Sequence, residues 1–209
     1  MYRSDANGQP NTIYILGSRG SGKTSLLNIL LGKGFDENIS HSKIGIHSDY
    51  YKFGDKQLMI KDLTDNDKFH YTNILINQLE EVILVIIIFS IDDEESLKYA
   101  TNLIRVINDN ITYNVGMKII LFGNKYDSKK INNAKIKVNQ IEADSYVEEF
   151  ENCSYYELSC KTGYNISVVR GVLNDIIENL KVVENKDDIK YQESVRGENA
   201  KASQSCDIY

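Results

Sequence analysis

Apolar and polar residues alternate in blocks along this chain of 209 residues. Ile13-Tyr14-Ile15-Leu16, within 12–17, is a short apolar run of the kind a buried strand leaves. Ser25-Leu26-Leu27-Asn28-Ile29-Leu30-Leu31 then suits a helix over 23–31, and a loop is expected near 32–45. Residues 46–53 and 57–63 predict a hairpin turning at Gly54-Asp55-Lys56, with a helix somewhere in 67–80. From Val82 to Phe89 every residue is apolar, the mark of a strand buried on both faces at a sheet centre. Between Glu94 and Ile107, Leu97, Leu103, Ile104 and Ile107 share one helical face. Met117–Phe122 reads as another buried strand, and Tyr155–Leu158 as a short one. Asn139-Gln140-Ile141-Glu142 has the pattern of a capping box opening a helix to Phe150. Val168, Val169, Val172, Leu173, Ile176, Ile177 and Leu180 recur at helical spacing and predict a last helix. Strands alternating with helices imply an α/β fold: a doubly wound, mostly parallel, six-stranded sheet with helices on both faces.

The same pattern sets the expected boundaries. Residues 1–11 hold Gly8 and the single proline, Pro10, and read as a flexible leader. Residues 12–183 carry the periodic segments and form one expected domain. Residues 184–209 mix both charge signs without a periodic apolar face, so a disordered tail is expected. The net charge of −6 speaks against nucleic acid as a ligand, since phosphate backbones select basic faces. Cys153, Cys160 and Cys206 make neither an even disulfide framework nor a close metal spacing, which suits a reducing, cytoplasmic setting. Met1 to Asn11 is polar and unlike a signal peptide, and the longest apolar run is too short to span a bilayer.

The first chemistry lies between the first strand and the first helix. Gly17-Ser18-Arg19-Gly20-Ser21-Gly22-Lys23-Thr24 fits G-x-x-x-x-G-K-[ST] without a gap. The glycines let backbone N–H groups curl around an anion, and the helix start adds free donors and the positive end of its dipole. Arg19, Gly20, Ser21, Gly22, Lys23, Thr24 and Ser25 are the expected phosphate-binding residues. Lys23 reaches for the β- and γ-phosphates, and the Thr24 hydroxyl is a Mg²⁺ ligand.

Two later motifs choose the base. Asn124-Lys125-Tyr126-Asp127 follows one buried strand and Ser159-Cys160-Lys161 follows the next, so both belong at the strands' carboxyl ends. Asp127 can accept two hydrogen bonds from the N1–H and N2–H₂ edge of guanine. Adenine offers no such pair, and a buried acceptor left unpaired costs about 1–3 kcal/mol. Lys125 and Lys161 can lay their stems over the base, and the Cys160 N–H can meet the guanine oxygen. With these motifs in this order, residues 10–181 resemble a small GTPase of the Ras superfamily, a P-loop NTPase fold. Within it they are most similar to the Rab branch, through the Val138…Ala143…Phe150 pattern and the run Tyr-Glu-Leu-Ser-Cys-Lys-Thr-Gly ending at Gly163.

That resemblance implies roles for further residues. Phe35 stands where an aromatic packs edge-on against guanine, a core position being the other reading. Ser42 takes the place of the switch I threonine that ligates Mg²⁺, or, with a gap of one, Lys43 does, which cannot ligate it. Asp62 opens switch II and holds the Mg²⁺ shell. Asp65 replaces the switch II glycine, and like charges at about 4 Å repel by roughly 4 kcal/mol at an effective dielectric of about 20. Asn66 replaces the glutamine that orients the attacking water and is one methylene shorter. Arg19 occupies a place often held by a small residue; it either lies over the phosphates in cis or is solvated at the rim. Lys23, Asn66 and Arg19 are therefore the catalytic candidates.

Cys206-Asp207-Ile208-Tyr209 resembles a C-a-a-X box, so Cys206 is either prenylated or a free tail cysteine. Prenylation would put the protein on the cytosolic face of endomembranes. The resemblance implies GTP/GDP and Mg²⁺ as ligands. It also implies effectors meeting residues 38–49, an exchange factor, an activating protein and a role in vesicle traffic. Slow GTP hydrolysis is expected from the switch II departures. The alternative is a pseudo-GTPase scaffold that binds guanine nucleotide without an effective cycle.

Overall fold

The computed structural model describes residues 12–39, 45–53, 56–64, 82–110, 117–131, 138 and 140–179. In chain order the elements are β1 (Thr12–Leu16), α1 (Lys23–Leu30), β2 (Gly45–Phe53), β3 (Lys56–Thr64), β4 (Val82–Ser90) and α2 (Glu94–Asn110). Then come β5 (Lys118–Asn124), α3 (Ser128–Ile131), α4 (Gln140–Val147), β6 (Cys153–Glu157) and α5 over 166–179. The helix expected in 67–80, the hairpin turn at Gly54 and Asp55, and Asn139 of the capping box lie outside the described residues.

The strands form one six-stranded sheet in the order β2-β3-β1-β4-β5-β6. Only the β2–β3 hairpin is antiparallel within it; β1 runs parallel to β3 and β4, β4 to β5, and β5 to β6. The chain leaves β1 for β3 on one side and then crosses to β4 on the other. This reversal opens a crevice at the carboxyl end of β1, the place where open α/β sheets bind ligands.

Both faces of the sheet centre are dry. Tyr14, Leu16, Val85, Ile87, Phe89, Ile119 and Leu121 join Leu97, Ala100, Leu103, Ile104 and Ile107 of α2 and Ala143 and Val147 of α4 in one core. The alternate residues Ile13, Ile15, Leu84, Ile86, Ile88, Ile120 and Phe122 are equally buried. Period-two alternation sends them to the other face. Helix α1 lies against β1 and β3, with Leu26, Leu27 and Leu30 buried. Helix α2 starts where Asp93 Oδ1 accepts the Glu95 N–H at 3.1 Å, with Glu94 and Glu95 in its first turn facing the positive dipole end. By contact density the chain divides into two compact units, up to Val169 and from Arg170 on.

Helix α4 stops at Val147, three residues before the expected Phe150. There the Phe150 N–H bonds back to Val147 O at 3.0 Å and the ring packs on the core. Helix α3 was not expected; four residues are too few to carry a periodic signal.

The first glycine of the phosphate loop is pinned by packing. Gly17 has φ 145, and a Cβ there would lie 2.1 Å from Ile88 O, a backbone atom of β4. Gly17→Ala should therefore lower unfolding stability by about 2 kcal/mol or more, read from urea denaturation. A loss below about 0.5 kcal/mol would mean that the loop does not seat against β4 in this way.

Candidate functional site

The phosphate loop is folded by its own polar groups. Ser21 Oγ donates to Ser18 O at 2.8 Å and the Ser21 N–H reaches the same oxygen at 3.3 Å. Gly20 and Gly22 take the left-handed φ values of 79 and 107 that suit glycine. A Cβ on Gly22 would stand 2.1 Å from Asn124 Nδ2, so the loop closes directly on the base-side turn. Helix α1 then begins at Lys23, with the Leu26 N–H bonded to Gly22 O at 2.9 Å. The first N–H groups of a helix have no partner within its own ladder, and they point to the side from which an anion would approach.

Lys23 is buried beneath this loop. Its Nζ donates to Gly17 O and Ser18 O, each at 2.9 Å. An ammonium has three protons, so one remains for a phosphate. Burial pulls the Lys23 pKa below the usual lysine value, and the nearby Asp62 carboxylate pushes the other way. Thr24 Oγ1 donates to Asp62 Oδ2 at 3.0 Å, and Asp62 is almost wholly buried at the end region of β3. A hydroxyl and a carboxylate held this close are hard oxygen donors of the kind Mg²⁺ takes, one carboxylate being enough when phosphates complete the shell.

Asn124, the last residue of β5, joins the parts. Its Nδ2 donates to Ser21 O at 2.8 Å, and its Oδ1 accepts the Cys160 N–H at 3.0 Å. The Cys160 N–H, expected to meet the guanine oxygen, is thus directed to Asn124. Lys125 takes the left-handed region at φ 68, uncommon for a residue with a side chain, and its Nζ lies 3.5 Å from Asp92 Oδ1. Asp127 Oδ1 accepts from Ser159 Oγ at 2.6 Å. Burial first, and Asp127 next, push the Cys160 thiol up to about 12, so it is not a nucleophile at neutral pH.

One cavity of about 280 Å³ gathers these residues. Arg19, Gly20, Gly22, Lys23, Thr24, Ser25, Phe35, Asn124, Lys125, Asp127, Cys160 and Lys161, all expected from sequence, line it. Phe35 is 38% exposed, so it is a wall residue and not a core one. Arg19 is exposed on the same wall. Ser21 and Ser159 are buried behind the lining and act through their bonds to Ser18 O and Asp127. Ser42, Lys43, Asp65, Asn66 and Cys206 lie outside the described residues.

Asp36, Glu37 and Ile39 also line the cavity and were not expected there. Glu37 forms an exposed ion pair with Lys161, the lysine expected over the base. The partners are 124 residues apart, so no local pattern could have named Glu37.

Comparison with known proteins agrees with this geometry. The chain is similar to "Cyclic GMP-binding protein C" of Dictyostelium discoideum, with 26% identity over 188 residues covering 79% of this chain and 7% of that protein. It is also similar to "GTP-binding protein Rhes" of Mus musculus and of Rattus norvegicus, each 28% identical over 173 residues, covering 76% of this chain and 61% of the relative. The chain therefore spans less than two thirds of the length of each of these relatives. The profile described as "Ras family" matches residues 12–180, from the first residue of β1 past the end of α5. With that match running through every motif of the cavity, the chain belongs to the Ras family.

Proposed function

We propose that this chain is a guanine-nucleotide switch that binds GTP and GDP with Mg²⁺ and hydrolyses GTP slowly. Members of its family are GTPases in general. The observation that carries the reading is that one cavity is bordered by Lys23 and Thr24 together with Lys125, Asp127, Cys160 and Lys161. A phosphate cradle and a guanine-selective carboxylate sharing one pocket suit a nucleotide and little else.

Asp127 supplies the base selectivity, since its carboxylate accepts from guanine's paired donors and Ser159 fixes its orientation. The reaction is in-line attack of water on the γ-phosphorus. The new P–O bond to water forms as the bond to the β,γ-bridging oxygen breaks, and GDP leaves with that electron pair. The third proton of the buried Lys23 ammonium meets the charge gathering on the phosphate oxygens. Mg²⁺, when bound, would be held by Thr24 and Asp62, with Ser42 as the further donor expected from sequence, and would neutralise phosphate charge. Arg19, exposed on the cavity wall, can lie over the phosphates in cis.

Slow hydrolysis rests on Asn66 and Asp65. Asn66 is one methylene shorter than the glutamine that orients water, and repulsion between an Asp65 carboxylate and the γ-phosphate would keep switch II from closing on GTP in the usual manner. Effectors would meet residues 38–49, and an exchange factor and an activating protein would work on the same cycle. The placement on the Rab branch, with vesicle traffic, rests on the two sequence runs alone. Val138, Ala143 and Phe150 are core or core-packing positions, so that pattern records helix packing as much as branch. Prenylation of Cys206, with attachment to the cytosolic face of endomembranes, belongs to the same reading. Among the described residues no helix is long and apolar enough to cross a membrane.

Two experiments test the proposal. Asp127→Ala should lower the preference for GTP over ATP by at least about 100-fold while leaving ATP binding near its parent level. A preference that survives the change would remove Asp127 from base recognition. In single turnover, Asp65→Gly combined with Asn66→Gln should raise the hydrolysis rate by at least about tenfold. Rapid phosphate release from the parent protein would contradict slow hydrolysis. No release from either protein would favour the scaffold reading.

A further inference from the structure

The two turns that carry the base-side residues each bring a tyrosine to one place. Tyr126 stands inside Asn124-Lys125-Tyr126-Asp127, and Tyr164 follows Ser159-Cys160-Lys161-Thr162-Gly163. Their rings stack with centroids 4.2 Å apart and planes within 9°. Tyr164 is 40% exposed and Tyr126 half-buried, and neither is among the residues that border the cavity. Tyr126 also packs against the edge of the core, but neither ring lines the cavity, so the pair acts on the cavity through the turns it joins.

The surroundings fix the stack to the sheet. Lys129 Nζ lies 4.6 Å from the Tyr126 ring centre, within cation–π range of about 6 Å. The same ammonium donates to both Glu157 carboxylate oxygens, at 2.6 and 2.7 Å. Glu157 is the last residue of β6, and its side chain is nearly buried. The Tyr155 hydroxyl also donates to it, at 3.3 Å. On the other turn, Asn165 takes a left-handed φ of 59, and its Nδ2 donates to Glu157 O at 2.8 Å.

The stack also connects to the base-reading carboxylate. The Ser159 N–H donates to Tyr164 O at 3.1 Å, and the Gly163 N–H returns to Ser159 O at 2.9 Å. Ser159 Oγ in turn accepts the Thr162 N–H at 3.1 Å and donates to Asp127 Oδ1 at 2.6 Å. On the first turn, the Tyr126 N–H donates to Leu158 O at 3.1 Å, and Asp127 is the next residue. The rings thus brace the turn that holds Ser159 against the turn that holds Asp127.

We propose that the Tyr126–Tyr164 stack is a positioning pair that sets the orientation of Asp127, and through it the guanine preference and residence time of the bound nucleotide. This deepens the guanine-nucleotide reading above and rests on it. A loosened stack frees the Ser159–Asp127 bond to rotate, and the carboxylate no longer meets both guanine donors at once. Contacts to ribose and phosphate do not pass through this pair. The effect should therefore be specific to the purine edge.

The test compares dissociation of fluorescent GDP and IDP from the full chain. Hypoxanthine lacks the 2-amino group, so it offers Asp127 one donor fewer. The parent should hold GDP at least about tenfold longer than IDP. Tyr126→Ala and Tyr164→Ala should each release GDP about fivefold faster, the scale of one aromatic pair, and change IDP by less than about twofold. The double variant should release GDP no faster than the quicker single variant, because both changes remove one stack. Tyr126→Phe and Tyr164→Phe, which keep the ring faces, should stay within about twofold of the parent. Tyr164→Leu keeps apolar volume without a flat face and should behave as the alanine variant, which covers a failure of Tyr164→Ala to fold. Equal acceleration of GDP and IDP, or additive effects in the double variant, would overturn the proposal. A parent that does not prefer GDP to IDP would instead remove the guanine reading on which it rests.

Discussion

The site depends on one buried carboxamide. Asn124 ends β5 at the centre of the crevice and is all but inaccessible to water. Its amide nitrogen holds the phosphate loop through Ser21 O, and its oxygen holds the base-side turn through the Cys160 N–H. Each half of an amide is a poor fit for the other's partner, so the two bonds set the direction of the group as well as its place. A hydrophobic replacement would strand a buried carbonyl and a buried N–H, each costing about 1–3 kcal/mol. Three segments distant in sequence are thereby kept in one arrangement. The absence of space at Gly22, where a Cβ would strike the same amide nitrogen, belongs to that constraint.

Around it the site divides by chemistry. The phosphate side is backbone, one buried ammonium and the Thr24–Asp62 oxygen pair, all anchored by the apolar centre of the sheet. The base side is two turns at the carboxyl ends of β5 and β6, joined by side chains: Ser159 to Asp127, Tyr126 to Tyr164 and Lys129 to Glu157. Rigid strands make the first side tolerant of little change. The second side is joined by side-chain pairs, each with one partner buried or nearly so and one more exposed, apart from the half-buried Tyr126 on the exposed Tyr164. The Cys160 N–H is bonded to Asn124, so in the proposed function Asp127 carries most of the guanine recognition.

Much of this was legible in the sequence where physics acts locally. β4 declared itself because a strand covered on both faces is apolar without a break, here from Val82 to Phe89. The phosphate loop declared itself because backbone close to an anion and to Ile88 O demands glycine at fixed places. Lys23, Asp127 and Lys161 followed from motif spacing and fell on one cavity. What could not be read depends on the fold. Glu37 reaches Lys161 from the loop after α1, and Tyr164 reaches Tyr126 from another strand end, with no pattern near either residue to announce it. The role of Ser159 behind Asp127 was equally hidden, because the motif marks the residue and not the direction of its hydroxyl. Helix α4 ran short of its expected end for a related reason: Phe150 is apolar in phase with the helix, yet it reaches the core from a turn.

The central claim is that one pocket reads both the phosphates and the guanine edge. Calorimetric titration of the nucleotide-free chain with GDP and with ADP, each with and without Mg²⁺, tests it most directly. The account predicts GDP binding at least about 1,000-fold tighter than ADP, since adenine lacks both donors that guanine offers to the half-buried Asp127 carboxylate. It also predicts that Mg²⁺ tightens GDP further, through oxygen donors at Thr24 and Asp62. Equal affinity for GDP and ADP, or no binding of either, would contradict it.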